Sequence, residues 1–174
     1  MDENFLQPTL VGNTISLRPL ATSDFEALYE AASDPLIWVG HPAKNRYCKD
    51  VFERWFQDAM KSGGSLVIED RHSDQLIGSS RYYEFNAPAS EVAIGFTFIK
   101  RPFWGGTTNR ELKELMLRHA FSRVATVWFH VDTTNIRSQK AMAKIGGIQS
   151  HIAAKQFSGS TSTYVFFKIE RKGC

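Results

Sequence analysis

The sequence predicts an α+β fold in which one mixed, mostly antiparallel sheet carries helices on both faces. Two kinds of segment follow one another along the chain. Some alternate apolar and polar residues, as strands do, and others repeat apolar residues every three or four positions, as helices do. With 174 residues, of which 43% are hydrophobic, the chain is long enough to bury one core. No repeat, low-complexity segment or linker interrupts it, so we expect a single domain over residues 1–174.

Apolar periodicity and turn residues set the predicted element boundaries. Ser23 and Glu26 have the S-x-x-E spacing of a capping box, which predicts a helix that begins there and ends before Pro35. Residues 71–74 are polar and predict a hairpin between two strands. The other predicted elements, in chain order, are strand 14–20, helix 49–61, strands 65–70 and 75–84, a central strand that ends by Arg101, a helix from Thr108 or Asn109, strand 125–132, helix 136–144, and strands 148–157 and 163–169.

The central strand begins the stretch around which the other elements are arranged, from Ala93 to Phe121. Ile94, Phe96 and Phe98 alternate with smaller residues. This alternation predicts a half-buried strand with the three apolar side chains on one face.

A glycine pair and a helix start follow this strand. Gly105 and Gly106 allow backbone geometry that a Cβ resists, and the helix should begin at Thr108 or Asn109. The first N–H groups of a helix are unpaired and carry about half a positive charge, so this corner is a candidate site for a phosphate-bearing ligand. It lacks the lysine of a P-loop and the third glycine of a dinucleotide motif. A structural corner that binds no ligand is the alternative.

Two blocks of sequence match a known family. Residues 104–121 read WGGTTNRELKELMLRHAF, and residues 132–148 read DTTNIRSQKAMAKIGGI. The first block resembles motif A of the GNAT superfamily of acyl-CoA N-acyltransferases, and in particular the branch that contains the Rim-type ribosomal-protein N-acetyltransferases. The second is similar to that family's N-x-x-S-x-x-A helix. The resemblance covers nearly the whole chain.

This resemblance implies a three-layer α/β/α fold whose sheet is splayed at the cofactor site, with acetyl-CoA as co-substrate and no metal. It implies transfer of an acetyl group to a primary amine, on a protein N-terminus or a small molecule, by direct attack in a ternary complex. In the family's geometry, Phe98 and Ile99 pair with the pantetheine arm through their backbones, and the Phe98 N–H polarises the thioester carbonyl. The other residues implied for cofactor binding are Gly105, Gly106, Thr107, Thr108, Asn109, Arg110 and Asn135.

Two of these residues have a simpler structural alternative. Arg110 has the spacing for a solvated ion pair with Glu114, four residues later on the same helix. Asn135 precedes a helix, where an asparagine side chain also serves as a cap.

The residues that would handle protons depart most from the family pattern. Ser138 lies in the first turn of a helix, and its hydroxyl could protonate the departing thiolate. Met142 replaces the tyrosine that many members use as the acid, and Ala93 replaces the usual glutamate. We therefore expect Glu91, two residues earlier on the same strand face, to act as the base through a water. The rival candidates for the base are Glu84, His130, Asp132 and His41.

Trp38 and His41 are the candidate substrate-binding residues. They lie in an irregular segment between the first two helices, a part of the family fold that shapes the acceptor pocket. The alternatives are that Trp38 packs in the core and that His41 only bonds to the backbone.

Composition narrows the classes of partner. The net charge of +3 is dispersed along the chain, which disfavours a nucleic-acid face. Two cysteines without C-x-x-C spacing disfavour a disulfide framework or a zinc site and favour a reducing compartment. The first ten residues are unlike a signal peptide and no apolar run is long enough for a membrane span, so we expect a cytoplasmic protein with no nucleic-acid or membrane partner. A homodimer is left open, and the alternative function is a non-catalytic CoA-binding sensor or partner module.

Overall fold

A computed structural model describes residues 5–157 and 159–173 of the protein. Within these residues eight strands form one sheet in the order β1-β2-β3-β4-β5-β6-β8-β7. The strands are β1 (Leu10–Val11), β2 (Ile15–Pro19), β3 (Ser65–Asp70), β4 (Leu76–Asn86), β5 (Glu91–Ile99), β6 (Thr126–Asp132), β7 (Ile148–Phe157) and β8 (Ser160–Glu170). The helices are α1 (Phe25–Ala32), α2 (Lys49–Ser62), α3 (Thr108–Ala120) and α4 (Ile136–Lys144), with short 3-10 turns at Thr22–Asp24, Pro35–Ile37 and Arg101–Phe103.

The sheet is mixed and mostly antiparallel, because β5 and β6 are its parallel neighbours and the other paired strands run antiparallel. Both of its faces are covered. Successive side chains of a strand point to opposite faces. In β3, Leu66 and Ile68 accordingly pack in the core that includes α3, whereas Val67 packs in the core that includes α1 and α2. The predicted three-layer fold is therefore confirmed.

Helical periodicity explains how α3 joins its core. Leu112, Leu115, Met116 and Ala120 recur at helical spacing and are buried. The Tyr82 hydroxyl of β4 donates a hydrogen bond to the Met116 carbonyl at 2.6 Å, which ties the helix to the sheet. No helix in the described part of the chain is long and apolar enough to cross a bilayer.

The predicted capping box at the first helix is wrong. The helix α1 begins at Phe25 and follows a 3-10 turn, so Ser23 lies before its N-cap position. The carboxylate of Asp24 instead accepts hydrogen bonds from the Ala21 N–H at 2.8 Å and from the Arg18 guanidinium at 2.8 and 2.9 Å. A partly buried ion pair with β2, rather than a serine cap, fixes the start of this helix.

The strand β5 contains a bulge that the alternation of its apolar residues did not reveal. Arg81 of β4 pairs with Gly95, whereas Ser79, two residues earlier, pairs with Phe98, so β5 has one extra residue in this interval. Phe96 lies in the bulge with a φ of 54°, in the left-handed region. Because of the extra residue, Ile94 packs in the α3 core and Phe98 in the α1–α2 core. The expectation that these side chains share one face is wrong.

The sheet is splayed between β5 and β6. Residues 91–93 pair with residues 126–128, and no later residues of the two strands are paired. The gap that opens beyond these pairs is the feature that the family resemblance implied, and it positions the candidate site.

Candidate functional site

A cavity of about 830 Å³ occupies the gap between β5 and β6. One wall consists of residues 94–99 of β5, and another of residues 129–132 of β6. The rest of the lining comes from Tyr83 of β4, from α3 and the loop before it, from α4, from the connection between α1 and α2, and from the β7–β8 hairpin. Residues far apart in the sequence therefore meet where the sheet opens.

The glycine loop at the end of β5 lies at this cavity. Gly105 has a φ of 75°, which favours glycine, and a Cβ built on Gly105 or Gly106 would meet no atom within 4 Å. Gly105, Gly106 and Asn109 line the cavity. Trp104 packs beside them, since its indole N–H donates to the Ile99 carbonyl at 2.7 Å. The loop thus presents open backbone next to the start of α3, as an anion site requires.

The other residues predicted for the loop lie around it. Thr107 occupies the N-cap position of α3 without a side-chain cap bond, and Thr108 is buried. Arg110 is exposed and its Nε lies 3.6 Å from the Glu114 carboxylate, which is the alternative role named for it. None of these three side chains is part of the cavity lining. Thr107 and Thr108 could therefore contact a ligand only through their backbone groups.

Asn135 and Ser138 meet at the start of α4, and both line the cavity. The Asn135 side-chain oxygen accepts from the Ser138 N–H at 3.2 Å, so Asn135 caps the helix. Capping and cavity lining occur together here, because the helix begins at the mouth of the gap.

The structure separates the candidates for the base. The carboxylate of Glu91 accepts from the Trp128 indole N–H at 2.7 Å, and Glu84 pairs with Lys155 at 2.5 Å; neither lines the cavity. Their rivals His130, Asp132 and His41 all line it.

His130 and Asp132 lie on neighbouring inward positions of β6. Burial lowers the pKa of His130 to about 4, and its Nδ1 shares a 2.6 Å hydrogen bond with the Tyr83 hydroxyl. Asp132 is buried, and one of its oxygens accepts from the N–H and the hydroxyl of Thr134 at 2.8 and 2.6 Å. At neutral pH the cavity therefore holds a neutral imidazole on His130.

Tyr83 is a cavity residue that the sequence analysis missed. Its ring lies against Gly95, where an added Cβ would come within 3.0 Å of the ring. Burial raises the pKa of the phenol, so it stays protonated. The sequence does place this tyrosine in the strand next to the central one. It does not show that the side chain points into the cavity, because that direction depends on the bulge.

Lys113 is the second missed residue. Only 7% of it is exposed, and its ammonium donates to the Thr97 hydroxyl at 2.9 Å and lies 5.7 Å from the centre of the Phe129 ring. Burial lowers its pKa to about 8. Its place between apolar residues of α3 was the only signal, and a lysine there is usually solvent-exposed.

The acceptor side of the cavity differs from expectation in one residue. Trp38 is 1% exposed and its indole N–H donates to the Ala32 carbonyl at 2.8 Å, so it packs in the core. His41 lines the cavity, its Nδ1 accepts from the Ala43 N–H at 2.9 Å, and burial lowers its pKa to about 3. Arg46, also missed, lines the cavity on the same segment.

In the described chain, no group of three or more His, Cys, Asp or Glu side chains could hold a metal ion.

Comparisons with known proteins agree with this geometry. The family model of the acetyltransferase (GNAT) domain matches residues 14–148. A GCN5-related N-acetyltransferase from Brucella melitensis is 17% identical, with a TM-score of 0.79 and coverage of 94% of this chain and 79% of that chain. A GNAT-family acetyltransferase from Bacillus anthracis is 14% identical, with a TM-score of 0.75 and coverage of 94% and 98%. Mycobacterium smegmatis RimJ in complex with CoA-disulfide is 16% identical, with a TM-score of 0.69 and coverage of 94% and 86%.

These structural likenesses show the fold, because the identities are low. No curated protein matches the sequence. The family model, by contrast, spans more than half of the chain, from β2 to the start of β7. The chain therefore belongs to the family of acetyltransferase (GNAT) domains.

Proposed function

We propose that this protein transfers an acetyl group from acetyl-CoA to a primary amine, on a protein N-terminus or a small molecule, by direct attack in a ternary complex. Membership of the GNAT family supports acyl-CoA-dependent N-acetyl transfer in general. The observation that carries the proposal is the gap between β5 and β6, which is lined along residues 94–99 and has the glycine loop at its end. The Rim-like first block and the fold shared with the CoA-disulfide complex of RimJ support the proposed co-substrate and branch.

The residues around the gap fit a CoA-type co-substrate. The open backbone of Gly105 and Gly106, beside the unpaired N–H groups at the start of α3, suits a pyrophosphate. Beyond Ala93, β5 has no partner on its β6 side, so the backbone groups of residues such as Phe98 and Ile99 are suited to pair with the amides of a pantetheine arm. When bound, acetyl-CoA supplies the thioester that acylates the amine.

The cavity also offers groups that can move a proton. His130 is neutral at physiological pH, so it can accept a proton from an amine in the cavity, and Asp132 lines the cavity two residues later as the second candidate. Both fit the role of base better than Glu91, whose carboxylate is engaged by Trp128 outside the cavity. Ser138 lines the cavity at the start of α4 and remains our candidate for the acid.

The direct test is thiol release from acetyl-CoA with a panel of small amines and N-terminal peptides, followed by mass spectrometry of the products. We expect an acetylated amine and a melting temperature that rises with acetyl-CoA but not with NAD or ATP. A rise in melting temperature without thiol release would favour a non-catalytic CoA-binding module. No rise at millimolar acetyl-CoA would count against the site itself.

A substitution in the glycine loop links the binding to the site. In Gly105→Val the Cβ is strained at a φ of 75°, so we expect acetyl-CoA to bind at least about tenfold more weakly. Gly63→Val is the matched control, because Gly63 has a φ of 69° and equally open surroundings but lies at the end of α2, outside the cavity lining. Equal losses of affinity in both variants would mean that backbone strain, and not the loop, weakens binding.

A further inference from the structure

The acceptor side of the cavity contains a positive charge without a partner. Arg46 lines the cavity, and its guanidinium lies 5.2 Å from the centre of the Trp38 ring and 5.7 Å from that of Trp55. Among the described residues, no carboxylate, carbonyl or hydroxyl oxygen accepts a hydrogen bond from this guanidinium. Two indole rings therefore hold the cation in place, but nothing neutralises it.

A second guanidinium lies near the same Trp55 ring. Arg81 is 7% exposed, stacks 3.9 Å from the centre of the Phe96 ring and lies 5.9 Å from that of Trp55. Its Nε donates to the Ser65 hydroxyl at 2.9 Å, whereas its Nη2 is buried without a hydrogen-bond partner. The Trp55 indole N–H is also buried and unpartnered. The region around Trp55 thus contains two buried donors without an acceptor, the Arg81 Nη2 and the Trp55 indole N–H.

The buried, unpartnered donors of Arg81 and Trp55 are costly in the free protein, whereas Arg46 is only half-buried. Buried charges in proteins are normally paired, and a buried donor without an acceptor loses its hydration for no return. Burial lowers the pKa of Arg46 to about 10, with a further contribution from the charge of Arg81, and burial lowers the pKa of Arg81 to about 10 as well. An anionic group in the cavity would pair with Arg46, whereas Arg81 and Trp55 do not line the cavity.

The lining of the cavity indicates what carries this anion. Arg46 belongs to the connection between α1 and α2 and not to the glycine loop proposed for the phosphates of CoA. Asp132 is the one carboxylate among the described lining residues, against the basic side chains of Arg46, Lys113 and Arg137. Burial and Asp132 raise the pKa of the Tyr164 phenol and Arg46 lowers it, so both charges act near this hydroxyl. A ligand with one cationic and one anionic group suits this pair of charges better than a polyamine does.

From these observations we propose that the acceptor is a small amine that also carries a carboxylate, and that Arg46 binds this carboxylate. The proposal rests on the proposed acetyltransferase function and names the substrate class of the same site. In this arrangement Asp132 faces the ammonium group of the incoming acceptor, and Arg46 holds its other end. The carboxylate forms charge-assisted hydrogen bonds with Arg46 that none of the described residues provides in the free protein.

The test compares amines that differ only in the carboxylate. 4-Aminobutyrate and butylamine form one pair, α-amino acids and their amides form another, and spermidine and an N-terminal peptide represent the other acceptor classes. We expect the carboxylate-bearing member of each pair to have a kcat/KM about 10- to 100-fold higher.

Variants of Arg46 assign the effect to this residue. In Arg46→Met we expect KM for the carboxylate-bearing amine to rise about 10- to 100-fold, with the KM for acetyl-CoA and the kcat/KM for uncharged amines within about threefold. Arg46→Lys should restore part of the affinity, because it keeps the charge but loses the planar fork. Arg54→Met, an exposed arginine on α2, is the matched control and should behave like the wild type. Thermal melting verifies that each variant is folded.

The outcomes separate the two proposals. If no amine is acetylated and acetyl-CoA does not raise the melting temperature, the proposed function fails and the acceptor class falls with it. If amines are acetylated but uncharged amines, spermidine or the peptide are preferred, or Arg46→Met has no effect on selectivity, the acceptor class is wrong and the function stands. Binding of acetyl-CoA without acetylation of any carboxylate-bearing amine also overturns the acceptor class.

Discussion

Replacing Lys113 by methionine should stabilise the protein at neutral pH. The ammonium of this side chain is buried in α3, it contacts the Thr97 hydroxyl and the Phe129 ring, and no described carboxylate forms an ion pair with it. Methionine has a similar length and no charge, and the Thr97 hydroxyl would keep its 2.8 Å hydrogen bond with Ser80. The substitution therefore removes a buried charge without leaving a buried polar group unpaired.

The magnitude follows from the pKa of Lys113. Burial lowers it from 10.5 to about 8, and at about 1.4 kcal/mol per pKa unit this corresponds to about 3 kcal/mol. Local relaxation reduces such costs, so we expect Lys113→Met to gain about 1–3 kcal/mol at pH 7. For a chain of this length, each kcal/mol raises the melting temperature by about 2–4 °C.

The pH dependence gives the sharper test. A base with a lowered pKa destabilises the fold while it is charged, so the cost is complete below pH 8, shrinks as the pH rises and disappears above pH 10.5. Urea denaturation of both proteins at pH 7 and pH 10 measures the difference, in which titrations common to both proteins cancel. Lys144→Met, an exposed lysine on α4, is the control and should change little. An equal gain at both pH values, or a loss at pH 7, would contradict the argument.

Three further substitutions test the site and the fold. Ser138→Ala should lower kcat about 10- to 100-fold while the KM for acetyl-CoA changes by only a few-fold, and an unchanged rate would remove Ser138 from the mechanism. Asn135→Ala removes the cap of α4 and should cost about 1 kcal/mol in urea denaturation; no loss would show that the bond to Ser138 is dispensable. Burial favours the neutral form of Asp24, but the hydrogen bonds from Arg18 and Ala21 lower its pKa below 3.8. Its contribution to the stability of the fold is therefore present above pH 3.8 and is lost as the pH falls through the lowered pKa. Asp24→Asn should therefore cost about 2 kcal/mol at pH 7 and progressively less toward pH 3, and a constant cost across this range would contradict the ion-pair explanation.

Local sequence patterns were sufficient for most element boundaries. The predicted helix 136–144 and strand 148–157 coincide with α4 and β7, because Gly and polar residues flank both segments. The predicted start of α1 was wrong because Asp24 is held by Arg18 of β2, and spacing along the chain does not reveal such a tertiary contact. The strand β1 has only two residues, too few to produce a periodic signal.

The site was predicted less completely than the fold. The glycine loop could be found because Gly105 and Gly106 carry their conformational freedom in the sequence itself. Arg46 and Lys113 could not be predicted, because the sequence gives no sign that a basic side chain will contact two indole rings or be buried. Tyr83 depends on the bulge in β5, whose extra residue appears only when the pairing with β4 is known.

The short seam between β5 and β6 has a mechanical consequence. Three residue pairs join a five-stranded half-sheet to a three-stranded one, so few backbone hydrogen bonds oppose a hinge rotation of one half against the other. The core that includes α3 resists such a rotation, because it contains side chains of both halves, such as Ile94 of β5 and Phe129 of β6. A molecule that contacts both β5 and β6 in the gap would therefore add interactions between the two halves that the backbone does not provide.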